Sequence, residues 1–122
     1  MVYTSESRAL ASLEFLVHVP LSLVPPDLKI ISIGIPGRLS IEHVALTDLP
    51  ANWRSSPPPS ALADIGSTWA KSNKSLLLRV PSAIIDKEFN ILINPNHPDM
   101  GRITINKIED YQIDSRLLRG KR

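Results

Sequence analysis

The chain has 122 residues, 43% hydrophobic and 21% charged, a composition typical of one globular domain with a single core. It contains no cysteine, which excludes disulfides, thiolate metal sites and cysteine nucleophiles. No apolar run approaches the ~18 residues of a transmembrane helix, and no signal-peptide pattern opens the sequence. We therefore expect one cytoplasmic domain spanning residues 1–122, without a membrane partner.

Basic residues are concentrated at the end of the chain. The sequence pI is about 9.2 and the formal net charge is +2. Four of the positive charges come from Arg116, Arg119, Lys121 and Arg122, and without them the formal charge becomes −2. We predict a solvated tail and no direct contact with nucleic acid, with a phosphate-binding arm as the less favoured alternative.

The first predicted element is an amphipathic helix from about Glu6 to His18. Thr4 or Ser5 can cap its first turn, and Pro20 stops it. Its apolar residues recur on one face at helical spacing. They are Ala9, Leu10, Leu13, Leu16 and Val17.

Two strands are predicted next, at Lys29 to Ile35 and at Leu39 to Leu46. They flank the turn signal at residues 34–37, so the pair resembles a hairpin, although Pro36 weakens its inner end. A polyproline segment at residues 57–59 then connects elements of the same domain.

A second helix is predicted to begin near Ser60, which can cap it, and to fade near Asn73. Leu62, Ile65 and Trp69 share one of its faces.

Three strands are predicted in the last part of the chain, with a further edge at Tyr111 and Ile113. They are Leu76 to Val80, Phe89 to Ile93 and Ile103 to Ile108. Two helices and five or six strands, grouped rather than alternating, indicate an α+β sheet protein.

The motifs of several common enzyme classes are missing from the sequence. There is no Gly-x-x-x-x-Gly-Lys-Ser/Thr, no Gly-x-Gly-x-x-Gly and no Gly-x-Ser-x-Gly. His18, His43 and His97 have no histidine partner four residues away, so no metal site is predicted. P-loop ATPases, Rossmann dehydrogenases, serine hydrolases and zinc hydrolases are all disfavoured.

Two polar residues stand out by their position. Glu14 adjoins the apolar face of the first helix, where a carboxylate is either a solvated charge or a functional group; the residues alone favour the solvated charge. Ser82 follows a predicted strand and a proline, so its hydroxyl lies at a strand end. There it serves either a turn or a ligand, and the pattern leaves both open.

Three parts of the sequence resemble, in order, the pattern of one protein family. The first is Val2-Tyr3-Thr4-Ser5-Glu6-Ser7-Arg8-Ala9-Leu10-Ala11 with Leu13-Glu14-Phe15-Leu16-Val17-His18. The second runs from Leu49-Pro50-Ala51-Asn52-Trp53-Arg54 to Ile65-Gly66-Ser67-Thr68-Trp69. The third is Arg79-Val80-Pro81-Ser82-Ala83-Ile84-Ile85 with Glu88-Phe89-Asn90-Ile91-Leu92-Ile93-Asn94-Pro95-Asn96-His97-Pro98. Together they resemble the RES domain, the toxin of a bacterial toxin–antitoxin pair, over nearly the whole chain.

The resemblance implies an ADP-ribosyltransferase-like α+β fold that holds NAD without a Rossmann glycine loop. It also implies the family activity, which is destruction of NAD at the nicotinamide–ribose bond, with water or phosphate as acceptor and no metal. At the matching positions, Glu14 and Ser82 are then catalytic-site residues, and Tyr3, Thr4 and Ser5 are cofactor-binding residues. Ser82 has no flanking base, so substrate positioning is favoured over covalent attack. For Tyr3, stacking on the cofactor and ordinary packing both stay open.

Three further features of the motifs have simpler interpretations. Arg79 either neutralises a phosphate or pairs with Glu88. The segment at residues 94–98 is predicted to be a rigid turn rather than the site of a catalytic histidine. Trp53 and Trp69 are predicted to pack in the core or at its rim.

The implied partner is an Xre-type helix-turn-helix antitoxin, which covers the pocket and binds operator DNA itself. The family pattern also begins with an arginine and a Gly-Gly-Arg-Trp-Asn-like run, which this sequence does not contain. That arginine is expected to hold the NAD pyrophosphate, and its segment to pair beside Val2-Tyr3-Thr4. The alternative function is therefore a truncated, inactive RES remnant that binds an antitoxin, or itself as a homo-oligomer, through an exposed sheet edge.

Overall fold

The computed structural model describes residues 1–118, which form an α+β domain. It contains two helices and six strands over these residues, as the sequence predicts. The helices are α1 (Arg8–His18) and α2 (Ser60–Ser72). The strands are β1 (Val2–Ser5), β2 (Lys29–Gly34), β3 (Ile41–His43), β4 (Leu77–Pro81), β5 (Phe89–Ile93) and β6 (Thr104–Asp110). Arg119, Lys121 and Arg122 of the predicted basic tail lie outside the described residues, whereas Arg116 pairs with Asp114 at 2.9 Å.

The larger sheet has the strand order β1-β5-β4-β3. Strand β5 runs antiparallel to both of its neighbours, while the short β3 runs parallel to β4. Strands β4 and β5 are therefore paired on both sides. The burial predicted for residues 76–80 holds for Leu76 to Leu78, whereas Val80 is half-buried.

The predicted hairpin between residues 29–35 and 39–46 is wrong. Strand β2 instead pairs antiparallel with β6 in a separate two-stranded sheet, and β3 crosses to β4. Pro36 has no N–H to donate at the inner end of such a hairpin. Strand β6 offers β2 six register pairs, from Lys29 opposite Asp110 to Gly34 opposite Thr104.

The larger sheet separates two clusters of buried side chains. Trp69 of α2 packs with Leu78 and Leu92 on one face, as the apolar spacing of that helix predicts. Leu76, Leu77 and Ile93 form the second cluster. They pack against partly buried residues that include members of the smaller sheet and of the segment between β5 and β6. These neighbours include Ile33, Met100 and Ile103. The domain is therefore built around β4 and β5.

Helix α1 begins two residues later than predicted, and the predicted caps are wrong. Ser7 is the N-cap, with extended backbone and a hydroxyl that accepts a hydrogen bond from the Leu10 N–H at 3.1 Å. Thr4 and Ser5 belong to β1, so their hydroxyls are engaged across the sheet instead. Leu10 is the buried anchor of the helix.

Helix α2 begins at Ser60, but Pro59 takes the N-cap position, so Ser60 lies inside the first turn rather than capping it. The helix ends where predicted, because Asn73 adopts the left-handed conformation with φ 55° that closes many helices.

The predicted edge strand at Tyr111 and Ile113 is also wrong. Strand β6 ends at Asp110, although the Tyr111 N–H still donates to the Leu28 carbonyl at 3.0 Å. Ile113 is buried, so its apolar character reflects core packing rather than strand pairing. Among residues 1–118, no helix has the length and apolarity required to span a bilayer.

Leu76→Ala should lower the free energy of unfolding by about 2–5 kcal/mol, because Leu76 is fully buried and its loss leaves a cavity beside β4 and β5. Denaturant titration measures the change. The control is Leu46→Ala, since Leu46 is 64% exposed, and it should change stability by less than about 0.5 kcal/mol. Equal effects of the two substitutions would contradict the assigned core.

Candidate active site

Glu14 is joined to the larger sheet by two hydrogen bonds that converge on one oxygen. The Ser82 hydroxyl donates to Glu14 Oε1 at 2.9 Å, and the Asn90 side-chain amide donates to the same atom at 2.7 Å. Glu14 lies in the middle of α1, Ser82 just after β4, and Asn90 in β5. The structure thus brings together Glu14 and Ser82, which lie 68 positions apart in the chain.

Ser82 is 1% exposed, and its hydroxyl makes the turn interaction considered from the sequence together with a hydrogen bond to Glu14. Its oxygen accepts the backbone N–H groups of Ile84 and Ile85, each at 3.1 Å, as a turn-forming serine does. Its proton is donated to Glu14. The backbone N–H of Ser82 is itself bound to the Glu88 carbonyl at 2.8 Å. The hydroxyl therefore holds the turn and orients the carboxylate together.

Asn90 is a site residue that the sequence did not predict. It lies opposite Ser5 of β1 and opposite Val80 of β4 in the ladder. The Ser5 hydroxyl donates to the Asn90 carbonyl oxygen at 2.6 Å. The one available signal was an amide inside the apolar run from Phe89 to Ile93. The residues Glu14, Ser82, Asn90 and Ser5 are called the Glu14 network below.

The three residues expected to bind the cofactor have different surroundings. Ser5 belongs to the Glu14 network, whereas the Thr4 hydroxyl is occupied by the Ile91 carbonyl at 2.7 Å. Tyr3 is 73% exposed. All three line a cleft of about 920 Å³, which also borders Ser12 and Phe15 of α1 and residues of the smaller sheet. The Tyr3 ring is therefore available to a ligand, whereas the Thr4 hydroxyl chiefly holds β1 to β5.

Two cationic residues at this cleft already have acidic partners. Arg8 donates to Glu109 at 2.5 Å, and Lys29 pairs with Asp110. The Arg8 guanidinium, through its hydrogen bond, holds the pKa of the Glu109 carboxyl below its usual range. A phosphate entering the cleft would therefore compete with carboxylates for these cations.

Arg79 does not pair with Glu88, so that alternative is wrong. Its guanidinium binds Glu6 at 2.9 Å and lies 3.6 Å from the centre of the Phe89 ring. Strand pairing places Arg79 across from Ile91, one position from Asn90, and its charge is directed back to the segment after β1.

The segment at residues 94–98 forms a turn, as predicted. The His97 ring accepts the Asp99 N–H through Nδ1 at 3.0 Å, and Asn94 is buried with its amide on the Ala70 carbonyl. Within residues 1–118 there is no group of three or more histidine, cysteine or acidic residues that could hold a metal ion.

Arg54 contacts the turn that contains Ser82. Its Nε donates to the Ala83 carbonyl at 2.9 Å and its Nη2 approaches the Ile84 carbonyl at 3.4 Å. The guanidinium lies 5.7 Å from the centre of the Trp53 ring. Arg54, for which the sequence predicted no role, therefore holds the turn next to the candidate site.

The comparison with known families decides the affiliation of the chain. The RES domain model matches residues 1–114, which include the whole Glu14 network. The chain belongs to the RES domain family.

Similar curated proteins are named as toxins. A Sphingobium protein, named Prs ADP-ribosylating toxin, is 37% identical over 121 residues, covering 98% of this chain and 75% of that protein. A Photorhabdus laumondii protein named Toxin Res is 37% identical over 123 residues, covering 99% of this chain and 78% of its own length. A Pseudomonas putida Toxin Res is 34% identical over 119 residues, covering 96% and 79%.

Arg54→Lys should loosen the turn after β4, because an ammonium cannot reproduce two donors in one plane. Losing one such hydrogen bond costs roughly 1 kcal/mol, so the amide protons of Ile84 and Ile85 should exchange about fivefold faster. Hydrogen exchange followed by NMR measures this directly, since both amides bind the Ser82 hydroxyl. Arg102→Lys, at an exposed position, is the matched control. Unchanged exchange in the Arg54 variant would show that the guanidinium does not hold the turn.

Proposed function

We propose that this RES domain cleaves the bond between nicotinamide and ribose in NAD, with Glu14 as the catalytic carboxylate. The observation that supports this most directly is the pair of hydrogen bonds from Ser82 and Asn90 to one oxygen of Glu14. They hold a carboxylate at a fixed place where α1 meets β4 and β5. The relative named as an ADP-ribosylating toxin adds support, since ADP-ribosylation uses this same bond of NAD.

A fixed carboxylate suits the charge that develops in this reaction. As nicotinamide leaves, the ribose becomes oxocarbenium-like and positive at its anomeric carbon. An anion held nearby stabilises that charge more in the transition state than in the ground state, which is the condition for catalysis. Nicotinamide departs as a neutral molecule, so a strong general acid is not required.

The donors around Glu14 are neutral, and this supports the proposed role. Ser82 and Asn90 supply one hydroxyl and one amide, which orient the carboxylate without cancelling its charge. An arginine or lysine at the same distance would neutralise the anion and weaken its attraction for the developing cation. The negative charge of Glu14 therefore stays available to the ribose.

Ser82 acts in this proposal by positioning Glu14 and the substrate, not as a nucleophile. Its oxygen already accepts two backbone N–H groups, and its proton is directed at Glu14. Attack on the ribose would require the oxygen to leave both N–H groups unpaired inside a buried turn.

NAD is the proposed substrate, and the cleft beside β1 is the proposed place for part of it. Tyr3 offers an exposed ring at that cleft for stacking on nicotinamide or its ribose. No metal takes part in the proposed chemistry. Water or phosphate is the proposed acceptor of the ADP-ribosyl group, which makes the protein an NAD glycohydrolase or phosphorylase.

The physiological role we propose is that of a toxin that depletes NAD. Two of the relatives described above are named Toxin Res, which supports a toxic activity held in check by an antitoxin. We propose an Xre-type helix-turn-helix antitoxin as partner, action in the cytoplasm, and contact with DNA only through that partner.

Glu14→Gln should lower kcat for NAD cleavage by about 10²–10³-fold, comparable to the loss of one oxyanion-hole donor. The Gln carbonyl oxygen can still accept hydrogen bonds from Ser82 and Asn90. The substitution therefore removes the negative charge of the side chain and keeps its size and shape. The assay is loss of NAD by purified protein, with circular dichroism to verify the fold. The matched control is Glu88→Gln at an exposed position, which should keep full activity.

Undiminished NAD loss in the Glu14→Gln protein would remove Glu14 from the mechanism. If the unaltered protein leaves NAD intact, the catalytic proposal fails. The alternative function, an inactive antitoxin-binding or self-associating RES domain, would then be favoured.

A further inference from the structure

We infer that Asn90 is a positioning residue that determines which oxygen of Glu14 faces the substrate. This inference rests on the proposed role of Glu14 and extends it to a residue of β5. Two observations support it: the convergence of both donors on Oε1, and the hydrogen bond that links the Asn90 amide to Ser5 of β1.

The orientation of the Asn90 amide follows from its two partners. The hydroxyl proton of Ser5 is donated to Asn90 Oδ1 at 2.6 Å, so the amide NH₂ must point the other way, toward Glu14. A flipped amide would set its carbonyl oxygen against the Glu14 carboxylate, whereas the Ser5 hydroxyl could accept from the NH₂ and does not oppose the flip. Because a carboxylate only accepts hydrogen bonds, the flip loses the Glu14 contact and gains a repulsion.

Two donors fix the carboxylate where one would not. With Ser82 alone, the carboxylate could rotate about its last torsion, which is broad for glutamate. Asn90 approaches the same oxygen from the neighbouring strand, because β4 and β5 are paired side by side. Among the described residues, no protein donor is hydrogen-bonded to Oε2. The network therefore leaves Oε2 without a protein donor, and this is the oxygen that we infer to face the substrate.

The Ser5 contact extends this arrangement to β1. Ser5 is two residues from Tyr3, and both lie on the strand that borders the cleft. The Ser5–Asn90–Glu14 chain of hydrogen bonds thus couples the position of the proposed cofactor-binding strand to that of the catalytic carboxylate. A shift of β1 would therefore move Asn90 and, through it, the Glu14 carboxylate.

Asn90→Asp provides a test in which a change of pH should restore the activity of the same variant. At mildly acidic pH, the new carboxyl is protonated beside Glu14 and can donate a hydrogen bond, as the amide does. At mildly alkaline pH both groups are anions, which repel each other at this distance and displace Glu14. The variant should therefore lose kcat for NAD cleavage by about tenfold to a hundredfold as pH rises, and recover most of it on acidification. KM for NAD should change much less than kcat.

The pH profile needs a matched control because other ionisable groups surround the site. His18 and Arg8 lie on α1, Arg79 is paired with Glu6 beside β1, and Glu88 precedes β5. They are present in every variant, so the profile is compared with those of the unaltered protein and of Asn106→Asp. Asn106 is an exposed asparagine of β6, in the other sheet. Both comparison proteins should lack the alkaline loss.

The result that would overturn the inference is an Asn90→Asp profile parallel to that of Asn106→Asp, in protein shown to be folded by circular dichroism. A change confined to KM would overturn it as well. So would a loss of kcat that only follows the folded fraction of the protein at each pH. Asn90→Ala serves as the second variant. It should lose kcat at every pH, because alanine has no proton to donate.

Failure of the proposed function can be distinguished from failure of this inference. If the unaltered protein does not consume NAD, the proposed function falls. The contact is then tested by a double-mutant cycle on the denaturation midpoints of Glu14→Ala, Asn90→Ala and the double variant. Non-additive midpoint shifts support the positioning contact, and additive shifts overturn it.

Discussion

The geometry of the candidate site depends on one acceptor atom, Glu14 Oε1, that is shared by a donor from β5 and one from the turn after β4. Each donor is itself fixed. Ser82 is held by the turn after β4, and Asn90 is held by Ser5 of β1. Helix α1, both central strands and the edge strand therefore meet through side-chain hydrogen bonds as well as apolar packing. Such a network favours one geometry, because displacing any member breaks a hydrogen bond that the others depend on.

The register of β4 and β5 is what makes the network possible. Asn90 lies opposite Val80, two residues before Ser82, so the end of β4 and the start of β5 both reach Glu14 of α1. Side chains alternate between the faces of a strand, so a shift of one residue would move Asn90 to the opposite face. The buried leucines and isoleucines of the two strands oppose such a shift, since it would expose them. The core thus stabilises the fold and also sets the geometry of the site.

The sequence predicted the parts of this structure that are governed by local pattern. Strand β5 lies at Phe89 to Ile93 as predicted, and α2 ends at Asn73, because apolar periodicity and a left-handed cap are local signals. The pairing of β2 was predicted wrongly, because partner choice depends on strands far apart in the chain. The caps of α1 were predicted wrongly for a related reason. Thr4 and Ser5 are good capping residues, but both belong to β1 and pair with β5, so neither can cap α1.

The candidate site shows the same division. Glu14 and Ser82 were named through resemblance to the RES family, whereas their hydrogen bond is a tertiary contact that no local pattern encodes. Asn90 was missed because an amide in an apolar run gives no information about what it faces. Arg54 was missed because its partners are backbone carbonyls, which every residue has. Asn90 and Arg54, whose partners lie far away in the chain, are therefore the residues that required the structure.

The central claim is that this chain breaks the bond between nicotinamide and ribose. The most direct measurement is identification of the products formed from NAD by the purified protein, by chromatography with mass detection. The account predicts free nicotinamide in equal amount to the NAD consumed, with ADP-ribose, or its phosphorylated form when phosphate is supplied. Nicotinamide mononucleotide and AMP, which report cleavage at the pyrophosphate, would contradict it, as would NAD left intact.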